Sequence, residues 1–297
     1  MDRHHEIFRR NFPFIVREEG EALRILQNPD NHFFDEYDGE ELIGTALVHK
    51  NTILLLCVDE PYRKRGIGTK LLQAAEQAVR KSGYESVTVG AGEEYLMPGI
   101  PMAKQPFPQL LGEEQIYDSV SNLAYDFFVK RGYRHTWQGN CFDMRVDLAQ
   151  TEFEEYPETI DGITYRFATA DDLPQITACT DVGEREFTKY YKNSKLYDEA
   201  SRSKVLIATS GQEVCGALIV NRETEAKGLG SVGCTVVAPD YRGRHIAVHL
   251  TQIGTQHLKS LGLRDGYLGY TYSGLDKLYG YAGYKICIYY AMAEKTL

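Results

Sequence analysis

Two rhythms of apolar positions run along this chain. Ile53-Leu54-Leu55-Leu56-Cys57-Val58 is a continuous apolar run of strand length, and Leu71, Leu72, Ala75, Ala78 and Val79 recur just after it at helical spacing. Period-2 alternation at Phe142, Met144, Val146 and Leu148 predicts another strand. Around these, the first half reads as a short aromatic-rich segment at Ile7–Ile15 and a helix across Glu19–Leu26. Strands follow at His32–Glu36 and Leu42–Lys50, separated by the turn signal Asp38-Gly39, and at Ser86–Val89. In the second half, a strand at Thr164–Ala168 leads to a helix start at Asp171-Asp172-Leu173 and a Lys/Tyr-rich helical stretch to Ser203. Strands are predicted at Val205–Ala208, Cys215–Asn221 and Ile286–Met292, and a helix through Leu250, Ile253, Leu258 and Leu261.

The junction between the first apolar run and its helix is Asp59-Glu60-Pro61-Tyr62-Arg63-Lys64-Arg65-Gly66-Ile67-Gly68. A buried strand that turns through an Arg- and Gly-rich loop into a helix N-terminus has the makings of a phosphate site, because backbone N–H groups approach closely and the helix dipole favours an anion. The chain has no G-x-x-x-x-G-K-[ST], so this is no nucleoside-triphosphate loop, and no G-x-G-x-x-G follows the strand. The pattern present is R-x-x-G-x-G, which taken alone reads equally well as an ordinary basic helix start. A second copy changes that balance. Val237-Ala238-Pro239-Asp240-Tyr241-Arg242-Gly243-Arg244-His245-Ile246-Ala247 repeats the arrangement before another amphipathic helix. Downstream of each copy comes an aromatic-x-x-x-Gly-Tyr run and then a strand, at Phe128–Tyr133 in the first half and Tyr279–Tyr284 in the second.

This ordered repeat resembles the GNAT acetyltransferases, which hold acetyl-CoA at such a strand–loop–helix junction, and the resemblance covers nearly the whole chain as a tandem pair. It implies an α/β (α+β) fold of two domains, each a mixed, mostly antiparallel twisted sheet flanked by helices. The expected division is a first domain over residues 1–148 and a second, with an altered loop, over 162–297. Between them lies a linker over 149–161, acidic at Glu152, Glu154, Glu155 and Glu158 and carrying Pro157.

Composition narrows the partners. At 297 residues, 43% hydrophobic and 25% charged, the chain has material for two cored domains, and no apolar run reaches the roughly 20 residues of a membrane span. The start lacks the apolar segment of a secretory signal, so a cytoplasmic protein is expected. Six scattered cysteines form neither a C-x-x-C pair nor a Cys/His cluster at metal-ligand spacing, which predicts reduced core residues and no metal. Cys57 and Cys234 lie near the ends of the motif strands and invite comparison with a catalytic thiol, but acetyl transfer in the family it resembles is direct. Net charge is −9 with basic tracts only at Arg63–Arg65 and Arg242–Arg244, which speaks against nucleic acid and fits an anionic cofactor with a cationic acceptor. A homodimer stays open.

Moving an acetyl group from a thioester to an amine requires a polarised carbonyl, a neutral amine and a stabilised departing thiolate. The resemblance places the first task on backbone N–H groups of Leu56, Cys57 and Val58. It gives the pyrophosphate to Arg63, Lys64, Arg65, Gly66, Ile67, Gly68 and Thr69. The third task commonly falls in this family to a Tyr five residues before the aromatic of the final Gly-aromatic pair. The first half has Phe128 there and the second has Tyr279, whereas the second loop has His245 where the first has Gly66. An intact pyrophosphate loop is harder to replace than an acid worth roughly 10² to 10⁴ in rate, so the first half is expected to be the main acetyl-CoA site. Tyr279 is equally a core aromatic. Other acid or base candidates are Tyr125 and Glu94, and the histidines at 135, 245, 249 and 257 read as structural.

From Arg63 to Gly132 is 69 positions, against 41 from Arg242 to Gly283, so the first half carries about 28 more residues, assigned to a stiff irregular loop at 91–118. Its Tyr95, Leu96, Met97 and Phe107 are too apolar for a solvated insertion; the resemblance, which places this loop beside the acetyl group, implies an acceptor-site wall with Glu93, Glu94 and Tyr95, with a domain–domain contact as the alternative. The runs Tyr95–Pro101 and Cys141–Met144 are similar to those of bacterial tandem-GNAT glucosamine and glucosaminide N-acetyltransferases. The resemblance thus implies a small cationic primary amine as acceptor, an amino sugar first. A polyamine, an aminoglycoside, a peptide N-terminus, or an acetyl-CoA-binding regulatory module without turnover are the alternatives.

Overall fold

The computed structural model describes residues 2–90, 94–102, 123–153, 156–198, 200–222, 228–272 and 274–297. Contacts divide the chain into two compact units, Met1–Phe142 with Ile288–Leu297, and Asp143–Cys287. The sequence places the division at a linker over 149–161; by contacts, the last ten residues belong instead with the first unit. The physical reason is strand pairing, since Ala293–Thr296 lies antiparallel to Ser86–Val89.

The first unit runs α1 (Arg3–Asn11), α2 (Glu19–Leu26), β1 (Asn31–Asp38), β2 (Glu41–His49), β3 (Thr52–Val58), α3 (Ile67–Lys81), β4 (Ser86–Val89), β5 (Ile100–Met102), α4 (Leu123–Val129) and the start of β6 (Arg134–Asp147). The second runs β7 (Thr159–Ile160), β8 (Ile163–Phe167), α5 (Leu173–Gly183), α6 (Thr188–Tyr191), β9 (Ser203–Ser210), β10 (Glu213–Asn221), β11 (Leu229–Val237), α7 (Ile246–Ser260), β12 (Asp265–Tyr272) and α8 (Asp276–Gly280). The final strand is β13 (Lys285–Thr296). Among the described pairings of each unit one is parallel, β3 with β4 and β11 with β12, and the others are antiparallel. This is the mixed, mostly antiparallel sheet flanked by helices that the repeat predicts.

Both repeats build their centre alike. β2 and β10 are buried at seven consecutive positions, because helices cover both faces: α1 and α3 pack on β2, and α5 and α7 on β10. A Cβ on Gly44 would lie 3.2 Å from Leu71, and one on Gly216 would lie 2.9 Å from Ile246, so these glycines let the motif helix settle close to its strand. α3 buries Leu71, Leu72, Ala75 and Val79, the stripe read from the sequence, and α7 buries Ile246, Leu250 and Leu258.

Three predicted features differ. The aromatic segment begins in α1, capped by the Asp2 carboxylate on the N–H groups of His4 and His5, with Ile7 and Phe8 buried. The Lys/Tyr-rich stretch is not one helix; α5 ends at Gly183, and short turns and α6 follow. Of the loop expected over 91–118, the described part is ordered core: Leu96 and Met97 are buried and Ile100–Met102 pairs with Tyr289–Ala291. Glu93 and Phe107 lie outside the described residues.

Candidate functional site

Each motif strand runs on well past the point where its parallel partner departs. β3 pairs with β4 at Thr52–Thr88 and Ile53–Val89, and β11 with β12 at Leu229–Asp265 and Gly230–Gly266. Beyond those pairs, the loop that follows has the same course in both units. After a one-turn 3-10 segment, Arg63 and Arg242 both take φ −66°, ψ 159°. Lys64 (φ 62°) and Gly243 (φ 77°) are left-handed, as are Gly66 (φ 87°) and His245 (φ 58°), the residues that open α3 and α7.

The arginines expected to meet phosphate are partly committed to this loop. The Arg63 Nε donates to the Val58 carbonyl at 2.8 Å and the Arg242 Nε to the Val237 carbonyl at 3.3 Å, so each ties the loop to the end of its strand. Arg65 lies over the Tyr62 ring and Arg244 over Tyr241. Neither helix has a side-chain cap or an acidic residue in its first turn, which leaves its first N–H groups free to meet an anion. At Gly66 a Cβ would meet no atom within 4 Å. His245 takes the same left-handed turn at the matching position, at a backbone cost of roughly 1–2 kcal/mol.

What stands over the helix start differs between the units. In the first, a Cβ on Gly68 would lie 3.5 Å from the Phe127 ring, and the Arg131 guanidinium stacks on that ring at 3.7 Å while donating to the Thr69 hydroxyl at 2.7 Å. In the second, the matching residues are Ala247, Val248, Leu278 and Ala282. Three of these, Ala247, Val248 and Leu278, line a cavity of about 460 Å³ together with Cys234, Thr235 and Tyr279.

Tyr279 is 8% exposed. Burial pushes its hydroxyl above the ordinary phenol range, with the Thr235 hydroxyl beside it acting in the opposite direction. It thus keeps its proton at neutral pH, at the wall of that cavity. Phe128 holds the matching place in the first unit, buried edge-on against Phe127 and Tyr133. Burial pushes the Cys234 thiol up to about 11 and the Cys57 thiol up to about 12, so neither is poised as a thiolate nucleophile.

The other candidates each have their own contacts. Leu56, Cys57 and Val58 end β3, with Cys57 buried. Glu94 is held by Arg24 at 2.6 Å and Asn28 at 3.3 Å, which depress its carboxyl below the usual range. Tyr95 lies under the Arg17 guanidinium at 4.7 Å. Tyr125, on α4, is part-buried, and burial raises its hydroxyl. His249 meets the Tyr165 hydroxyl at 3.0 Å and His257 packs on Phe167, structural places for both. Among the described residues no cluster of three or more His, Cys, Asp or Glu side chains is arranged to hold a metal ion, and no helix is long and apolar enough to cross a membrane.

Sequence reasoning missed Phe127 and Arg131, whose importance comes from packing against Gly68. It also missed Tyr191, which donates from the core to the Cys234 carbonyl at 2.5 Å.

A model of the acetyltransferase (GNAT) family matches residues 1–105 and again 170–279, well over half the chain. Among solved structures, the chain is similar to the GCN5-related glucosamine N-acetyltransferase region of a fungal multi-domain GH3 β-N-acetylglucosaminidase. The TM-score is 0.70 at 17% identity, covering 99% of this chain and 36% of that one, so this chain spans about a third of that protein. A tandem GNAT protein from the clavulanic acid biosynthesis pathway aligns with TM-score 0.66 at 13% identity over 99% of this chain and 94% of that one. A GCN5-related N-acetyltransferase from Sphaerobacter thermophilus aligns with TM-score 0.59 at 20% identity, over 87% and 78%.

Proposed function

Because the chain belongs to the GNAT acetyltransferase family, with one copy of the fold in each half, we propose that its second unit holds acetyl-CoA and that Tyr279 serves there as the proton donor. The observation that carries this is the 460 Å³ cavity, whose wall includes the end of the motif strand, the start of α7 and Tyr279 together. Acetyl-CoA supplies an acetyl group on a thioester whose sulfur leaves as a thiolate. The residues present fit it. Uncapped N–H groups at His245–Val248 meet its diphosphate, with Arg242 and Arg244 exposed beside them. The left-handed turn at Cys234 takes the 234–235 peptide out of the regular ladder, where its N–H is a donor for a carbonyl. Tyr279 Oη, kept protonated by burial, gives its hydrogen bond and then its proton to the departing sulfur.

The sequence favours the first unit for this role, and its loop has the same backbone. Phe127 and Arg131 over Gly68 and Thr69, and Phe128 in the acid's place, support a different part for it: a covered loop that takes no acetyl-CoA.

The acceptor is a small cationic primary amine, glucosamine or a glucosaminide first. Support comes from the similarity of the Tyr95–Pro101 and Cys141–Met144 runs and from the named activity of the fungal structural relative. None of the six cysteines forms a disulfide in the structure, which fits a reducing, cytoplasmic setting. The experiment is acetyl-CoA-dependent thiol release with glucosamine, polyamines, aminoglycosides and peptides as acceptors. Turnover with amino sugars at a kcat/KM at least tenfold above the rest is expected. Turnover with peptides alone would replace the amino sugar reading, and binding without turnover across the panel would replace catalysis with regulation.

A further inference from the structure

Past the last parallel pair, Gly230 with Gly266, the two strands of the second unit part, and each carries one left-handed residue the same four positions further on. On β11 it is Cys234 (φ 51°) and on β12 it is Tyr270 (φ 56°), neither a glycine. Such a conformation is unfavourable for an L residue and persists only where its surroundings enforce it. Each is pinned by a buried side chain from another element. Tyr191, on α6 and fully buried, donates its hydroxyl to the Cys234 carbonyl at 2.5 Å. Asp143, on β6 and 4% exposed, accepts the Tyr270 N–H at 2.8 Å on Oδ1 and the buried Tyr267 hydroxyl on Oδ2. The apex below them is as closely made, for a Cβ on Gly266 would lie 2.5 Å from the Tyr284 hydroxyl.

We infer that Tyr191 and Asp143 are positioning residues, a pair of braces that hold the split between β11 and β12 open before any ligand arrives. Their relevance to acetyl-CoA rests on the placement of the cofactor in the second unit. A trans peptide points its C=O and the next N–H in opposite directions. With the Cys234 carbonyl drawn toward Tyr191 in the core, the Thr235 N–H faces away from that core, and Thr235 lines the cavity. Tyr191 thus aims a donor without touching the ligand.

A brace against backbone strain has a signature that packing lacks: it becomes dispensable when glycine, which adopts positive φ freely, replaces the strained residue. Tyr191→Phe keeps the ring and removes the bond. It is expected to lower acetyl-CoA affinity at least tenfold by calorimetry and to speed amide hydrogen exchange at 233–236 in the ligand-free protein. Measured in a Cys234→Gly background, the same substitution should cost less than threefold and leave exchange there unchanged. Asp143→Ala with and without Tyr270→Gly repeats the cycle on β12, read by exchange at 268–272. A tenfold loss that persists undiminished in the glycine backgrounds overturns the inference in favour of plain packing, as does unchanged exchange in Tyr191→Phe. Exchange that responds as expected while acetyl-CoA affinity ignores every second-unit variant keeps the braces and overturns the placement of the cofactor.

Discussion

The two motif loops place their glycines differently and share one backbone. Where the first has Lys64 and Gly66, the second has Gly243 and His245, and all four are left-handed. Each loop therefore spends one glycine on one of two unfavourable turns and forces an ordinary residue through the other. The difference that bears on chemistry lies elsewhere, in what covers the start of the helix. Phe127 and Arg131 stand over Gly68 and Thr69 in the first unit, whereas in the second Ala247, Val248, Leu278 and Tyr279 line a cavity. A motif match reports that a loop of this shape forms; the side chains around it decide whether it has room for a ligand.

The largest effect should come from the one acid that the comparison leaves. Tyr279→Phe removes a hydroxyl and keeps the ring, so kcat for acetyl-CoA-dependent thiol release should fall roughly 10²-fold with little change in Tm. Phe128→Tyr, its mirror in the first unit, should leave kcat unchanged. Unchanged kcat in Tyr279→Phe would make that residue a core tyrosine and return the active site to the first unit.

Next comes the anion contact. His245→Glu sets a carboxylate at the start of α7, and acetyl-CoA affinity by calorimetry should drop at least tenfold, about 1.4 kcal/mol. Gly66→Glu adds the same charge in the first unit and should change affinity less than twofold. An equal or larger loss from Gly66→Glu would reverse the assignment of the units.

A subtler variant opens the first loop. Phe127→Leu with Arg131→Ala installs the residues found at 278 and 282. If those two side chains close the site, the acetyl-CoA bound per chain should rise from one to two, the added site being the weaker. Two molecules bound to the unaltered protein would show that the first loop was never closed.

Much of this arrangement is legible in the sequence, and what is not has identifiable causes. The strand–loop–helix junctions, α2 and β4 follow from local pattern, since their apolar spacing and turn residues act within a few positions. The destination of the last strand is not local: its apolar run marks a strand, but nothing near Ala293 names Val89 as its partner. The Lys/Tyr-rich stretch reads as one helical stretch on its composition, whereas α5 ends at Gly183 and Asn193 caps a separate turn. At the site, Tyr279 is visible as an aromatic at a fixed distance from Gly283-Tyr284, but its place at a cavity wall depends on residues distant in sequence, such as Ala247, that line the same cavity. Cys234 is the least legible, because cysteine carries no turn signal and its conformation is enforced by Tyr191, 43 residues earlier.

The smallest expected effect tests whether the two loops are the same object. Lys64→Gly with Gly66→His gives the first loop the second loop's pattern of residues. It moves one left-handed glycine to the other left-handed position, so the strain removed at residue 64, roughly 1–2 kcal/mol, returns at residue 66. No clash accompanies it, because a Cβ at Gly66 meets nothing within 4 Å and both side chains are exposed. The urea midpoint of the full chain should therefore match that of the unaltered protein to within about 0.5 kcal/mol. The half-changes should separate with opposite sign: Gly66→His alone has two ordinary residues in left-handed turns and should lose about 1 kcal/mol, the added strain being partly offset by the glycine freedom it removes from the unfolded chain, and Lys64→Gly alone should gain a similar amount. A double variant as unstable as Gly66→His would show that the two turns are not interchangeable, and the loops would then differ in backbone energetics as well as in what covers them.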